Sequence, residues 1–158
     1  MQDILNHLSQ LRHTFITGLS GTGKDLLASV TVKALKQQQP ELTVYVIDLK
    51  ADCKENYYDN CADIVRSQNV SQIIAESLED LVNWIKSCFE EFAQITGKKL
   101  LILAETNLLF HKFSQNKDYK NWLVDKIITY LSFGDSSDTY LWFIGQTFNL
   151  QDIGIGRS

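Results

Sequence analysis

The sequence predicts an α/β domain built on a mostly parallel sheet. Two observations carry that expectation: short runs of β-forming residues alternate with amphipathic stretches of ten or more residues, and a glycine-rich loop joins the first such run to the first helical stretch. Residues 13–17 (His-Thr-Phe-Ile-Thr) form the first β-rich run and stop at Gly18. From Lys24 to Lys36 the apolar residues Leu26, Leu27, Val30, Val32 and Leu35 approximate one helix face, which Gln37 to Pro40 closes. Residues 43–48 are nearly all β-formers up to Asp48, and an irregular polar stretch follows from Lys50 to about Asn60. Ser77-Leu78-Glu79-Asp80 reads as a helix start, with Leu78, Leu81, Ile85, Cys88, Phe89 and Phe92 at helical spacing on the way to Gly97. The run 100–103 is too short for a helix and apolar throughout, as expected of a strand buried on both faces. Residues 118–133 read as a further helix, 134–138 as a turn and 140–145 as the fourth strand.

With 158 residues the chain fits one domain, 1–158, long enough to bury a full core. Apolar residues make up 44% and charged residues 22%, a globular balance that excludes disorder. One proline, Pro40, and eight glycines exclude a collagen-like or proline-rich chain. No apolar run reaches the length of a membrane span, and the first residues lack the basic flank and apolar stretch of a secretory signal. Three cysteines, Cys53, Cys61 and Cys88, fit a reducing, cytoplasmic compartment, and their spacing supplies no zinc pattern. A net charge of −4 gives no global attraction to nucleic acid. The lysines at 112, 117, 120 and 126 are interleaved with Asp118 and Asp125 and read as a solvated helix face.

The loop Gly18-Leu19-Ser20-Gly21-Thr22-Gly23-Lys24-Asp25 matches the G-x-x-x-x-G-K pattern of phosphate-binding loops, in the strand–loop–helix setting that pattern requires. Glycines let backbone N–H groups turn toward a polyanion, and the helix N-terminus adds partial positive charge. Lys24 supplies a point charge to β- and γ-phosphates. The contrasting expectation is a glycine-rich turn with no ligand. Asp25 stands where the pattern has Ser or Thr, whose hydroxyl ligates Mg²⁺. Beside a triphosphate a carboxylate there repels unless a cation lies between them.

The second acidic strand end is Leu100-Leu101-Ile102-Leu103-Ala104-Glu105, which looks like a Walker B segment with Ala104 in place of the usual Asp. Glu105 is the candidate to polarise an attacking water. Asp25 and Ala104 read together give two open readings. In one, the loop carboxylate replaces the missing strand carboxylate as Mg²⁺ ligand, which octahedral oxygen coordination allows. In the other, the site has decayed. The fourth strand ends Gly145-Gln146-Thr147, placing Gln146 between the other two strand tips, either near a γ-phosphate or simply in solvent.

On these residues the chain resembles the FtsK/HerA-type branch of P-loop ATPases. The resemblance rests on Gly18 to Asp25, on the second strand ending Asp48-Leu49-Lys50, on Leu100 to Glu105 and on Gly145-Gln146-Thr147. Asp48 and Lys50 look like that branch's Asp-Pro-Lys segment, with Leu49 in the proline's place, and Gln146 stands where it carries a sensor glutamine. The resemblance implies a P-loop NTPase three-layer sandwich with ATP and Mg²⁺ as cofactors. Gly18, Ser20, Gly21, Thr22, Gly23, Lys24 and Asp25 would bind the nucleotide, Asp25 would hold the metal, and Glu105 and Gln146 would be catalytic. It also implies a homo-oligomeric ring or a partner chain, and DNA as a polymer to be moved. Because that family's core carries further strands, the chain is expected to be an incomplete core. Tyr140 to Ile144 should lie between the Walker B strand and the loop strand, leaving the latter at a sheet edge that further residues or a partner should cover. Two other classes stay open: a nucleotide-dependent scaffold without turnover, and a small P-loop kinase, for which Arg12, Arg66 and Arg157 are few phosphate clamps.

Overall fold

The computed structural model describes residues 10–51 and 56–147. Five parallel strands form one sheet: β1 (Thr14–Thr17), β2 (Thr43–Asp48), β3 (Ile64–Ser67), β4 (Lys99–Ala104) and β5 (Thr139–Gly145), in the order β1-β5-β4-β2-β3. Around them lie α1 (Lys24–Gln38), α2 (Val70–Ala75), α3 (Leu78–Gln94), α4 (Thr106–Phe113) and α5 (Lys117–Phe133). The sheet flanked by helices is compatible with a three-layer sandwich. As expected, β4 is central, β5 separates it from β1, and β1 is an edge among the described residues.

Alternation along the strands builds two cores, one on each face. Tyr45 and Ile47 of β2, Leu101 and Leu103 of β4, and Leu141 and Phe143 of β5 face α2, α3, α4 and α5, where Ile73, Phe89, Phe92, Phe113 and Ile127 meet them. Val44, Val46, Leu100, Ile102, Trp142 and Ile144 face α1 and the 58–61 turn, meeting Ala28, Val32, Leu35, Tyr58 and Cys61. Every residue of β4 is buried. Burying each large aliphatic side chain stabilises by about 1.5–3 kcal/mol, so the middle strand anchors both layers. Trp142 lies wholly within this core, and its indole N–H donates to the Arg12 carbonyl at 3.0 Å.

Helix ends follow local chemistry. Ser77 caps α3, accepting from the Asp80 N–H at 3.1 Å. At the other end Lys99 donates to the carbonyls of Phe92, Ala93 and Ile95 at 3.0, 3.2 and 2.7 Å, satisfying acceptors the helix leaves over. Burial lowers the Lys99 pKa, and those three bonds hold the ammonium where it is. Asn69 and Gln72 form a capping box on α2. Asp63 accepts from the Val44 N–H at 2.8 Å and pairs with Lys36, tying the start of β3 to β2 and α1.

Three elements go beyond the sequence reading: β3, α2 and α4. One expectation needs correction. Leu26 and Val30 do not belong to the core face of α1; both are exposed, whereas Val32 and Leu35 are buried as expected, joined by Ala28, Ser29 and Thr31. Among the described residues no helix is long and apolar enough to cross a membrane.

Candidate functional site

Because all five strands are parallel, their carboxyl ends share one edge, and a cavity of about 360 Å³ opens there. Ser20, Gly21, Gly23, Lys24 and Asp25 wall it from the loop after β1; Asp48 and Lys50 from the end of β2; Glu105 from the end of β4; Gln146 from the end of β5. Leu26, Tyr57 and Tyr58 complete it.

The loop is shaped by its glycines. Gly21 and Gly23 sit at φ +78° and +81°, the left-handed region that L side chains rarely adopt. Gly18 is close to Thr22, whose Oγ1 donates to the Leu19 carbonyl at 2.7 Å. Gly23 caps α1 without any side-chain hydrogen bond, so the first N–H groups of that helix have no side-chain acceptor from the cap. Lys24 Nζ donates to the same Leu19 carbonyl at 2.9 Å, folding the lysine back across the loop. The loop joins the sheet through the Gly18 N–H, which donates to the Gly145 carbonyl at 3.3 Å.

Opposite the loop the charges pair. Lys50 Nζ lies 3.6 Å from Glu105 Oε1, and the Lys50 N–H donates to Asp48 Oδ1 at 2.9 Å. Burial pushes the Asp48 carboxyl above its ordinary range; the Asp25 and Glu105 charges push the same way, while the Lys50 N–H bond opposes. Asp25 accepts from the Tyr58 hydroxyl at 2.7 Å. Burial, then the Asp25 charge and that bond, raise the Tyr58 pKa, so the phenol stays a donor.

Glu105 itself adopts φ 58°, left-handed and uncommon for a non-glycine residue. The segment after it grips the end of β5. Thr106 Oγ1 donates to the Ile144 carbonyl at 2.9 Å. Asn107 Oδ1 accepts from the Gln146 N–H at 2.7 Å and the Thr147 N–H at 3.4 Å, and its Nδ2 donates to the Thr147 carbonyl at 3.0 Å and Oγ1 at 3.1 Å. A Cβ at Gly145 would collide with Asn107 Oδ1, so a side chain there would displace the Asn107 amide from its bonds to Gln146 and Thr147.

Of the site residues expected from sequence, Ser20, Gly21, Gly23, Lys24, Asp25, Glu105 and Gln146 converge on the cavity, while Gly18 and Thr22 shape the loop behind it. Ala104 is buried and contributes no polar group. Tyr58 and Asn107 were not legible as site residues: Tyr58 lies in the irregular polar stretch, and nothing in sequence pairs Asn107 with Gln146. Arg66 is bound to Glu91, Arg12 is not at the cavity, and Arg157 lies outside the described residues, as does Cys53. No group of three metal-ligating side chains gathers among the described residues. The available oxygen donors suit a hard cation that takes one or two carboxylates and completes its shell with phosphate and water. No protein-family model matches the chain, and comparison with curated proteins finds no match either. What fold and site define is an α/β protein with a polar cavity, lined by lysines and carboxylates, at the carboxyl edge of a parallel sheet.

Proposed function

We propose that the chain binds ATP in this cavity, with the phosphates on the Gly18–Asp25 loop, as a P-loop nucleotide-binding domain. The observation that carries the reading is the loop geometry. Two left-handed glycines, an α1 N-terminus with no side-chain cap and a lysine beside it offer an anion backbone N–H donors, a helix dipole and one cation. Lys24 exchanges its Leu19 carbonyl for phosphate oxygens. Asp25 would hold Mg²⁺, whose charge would offset that of the phosphates. Lys50 keeps Glu105 turned toward the cavity, and Asn107 holds the backbone of Gln146.

The finer reading is an FtsK/HerA-like ATPase, with Glu105 polarising water and Gln146 facing the γ-phosphate. It works as a homo-oligomeric ring or with a partner chain, coupling nucleotide to movement of DNA or another polymer. A second reading, a nucleotide-dependent scaffold without turnover, is favoured by buried Ala104 and by the Lys50–Glu105 pair, which occupies the one strand-end glutamate. Phosphate release from ATP by the native chain, with and without excess DNA, separates the two.

Calorimetry with Mg²⁺ and ATP tests the binding itself. Lys24→Ala removes a charge-assisted contact of about 1.5–3 kcal/mol, so affinity should fall by about tenfold or more. Equal affinity of the native and substituted chains overturns the assignment.

A further inference from the structure

We propose that Tyr58 is a positioning residue for the cation, orienting Asp25 through its hydroxyl; the proposal rests on the nucleotide reading above. The Tyr58 hydroxyl donates to Asp25 Oδ1 at 2.7 Å, and the tyrosine is only 4% exposed. Its ring belongs to the buried core that also takes Ala28 and Val32 of α1, the helix that carries Asp25, so the hydroxyl is presented from a packed side chain. A carboxylate has about four lone-pair directions. Tyr58 occupies one of them on Oδ1 and restrains rotation of the group, and the remaining directions are the ones a cation would use.

The contact bears on how a carboxylate beside the loop would be aimed at a cation. With Ala104 at the end of β4, Asp25 carries the protein's share of a metal shell that the usual pattern divides between a hydroxyl and a strand carboxylate. One carboxylate must then be held accurately, since Mg²⁺ demands near-ideal octahedral geometry. Hydrogen-bond partners of metal-binding carboxylates typically contribute about 10- to 100-fold to metal affinity. Tyr57 and Tyr58, from the turn before β3, thus take part in the site.

The test is ATP affinity measured by calorimetry in excess Mg²⁺ and in chelator, for the native chain, Tyr58→Phe and Asp25→Asn. Tyr58→Phe keeps the ring and removes the hydroxyl. The expected result is that Mg²⁺ tightens ATP binding in the native chain, that Tyr58→Phe loses about 10- to 100-fold of this tightening, and that its affinity in chelator is unchanged. Asp25→Asn keeps an oxygen for Tyr58 but removes the charge, and should abolish the Mg²⁺ response even if Tyr58→Phe fails to fold. Three outcomes overturn the proposal alone: equal Mg²⁺ tightening in either variant and the native chain, equal weakening of Tyr58→Phe with and without Mg²⁺, or native binding indifferent to Mg²⁺. A native chain that binds ATP in neither buffer defeats the nucleotide reading and this role with it.

Discussion

His13, at the entrance to β1, is a half-buried histidine whose ring nitrogens face inward. Its Nδ1 accepts from the Leu141 N–H at 3.1 Å, and its Nε2 is buried with no partner. Burial lowers its pKa from the ordinary 6.5, with the Asp135 charge pulling back. Protonation would set a donor against the Leu141 N–H. Since the folded value lies below the unfolded one, this contribution is complete above pH 6.5 and is lost as pH falls from there toward the folded value. Asp48, whose pKa is raised, works in the opposite sense on acidification. The native melting temperature should therefore decline below pH 6.5 more steeply than that of His13→Gln, measured by thermal melts across pH 5–8. Parallel curves would show that His13 is not the titrating group. The same scale explains what Asp25 conceals in sequence: its spacing identifies the position, but only the fold brings Tyr58 across 33 residues to bond it.

Among the elements, α4 and the end of β5 form a unit through Asn107. Substituting Asn107→Ala removes the acceptor of the Gln146 N–H while leaving α4's buried Leu109 and Phe113 in place. Hydrogen exchange should show the amides of Gln146 and Thr147 losing protection while those of β4 keep theirs; unchanged protection at Gln146 would contradict the clamp. The elements that sequence reveals are those whose apolar pattern is strong: β2, β4 and β5 are nearly continuous apolar runs, and α3 carries a clean stripe. β3 is hidden because it is a four-residue edge strand with Arg66 and Ser67 exposed. α4 has no start signal, since Glu105 precedes it in a left-handed conformation with no side-chain cap. α2 did carry one, Asn69 and Gln72 at capping-box spacing, but six residues are too few for a helical period to show. On α1 the apolar spacing misleads in part, because the face against the sheet takes Ala28, Ser29 and Thr31 beside Val32 and Leu35 and leaves Leu26 and Val30 outside.

For the molecule as a whole, the sheet divides the interior into two cores that share no side chains. Ile102 lies on one face and Ile85 on the other, both fully buried. Ile102→Val and Ile85→Val should each cost about 0.5–1.5 kcal/mol. Their sum should match the double variant within about 0.5 kcal/mol in urea unfolding, because neither cavity reaches the other. A larger coupling would mean that the sheet transmits repacking between its faces. The edge position of β1 has a further effect, on biosynthesis. Among the described residues its strand partner is β5, with Thr14 opposite Trp142 and Thr17 opposite Gly145, so β1 leaves the ribosome long before the strand it pairs with. At about 5–20 residues per second that interval lasts several seconds or more. During it β2, β3 and β4 can already pair, whereas the loop at Gly18 lacks the Gly145 carbonyl that anchors it. The cavity is thus completed only after β5 and Gln146 have left the ribosome and paired, and a nascent chain short of that point lacks the wall they supply.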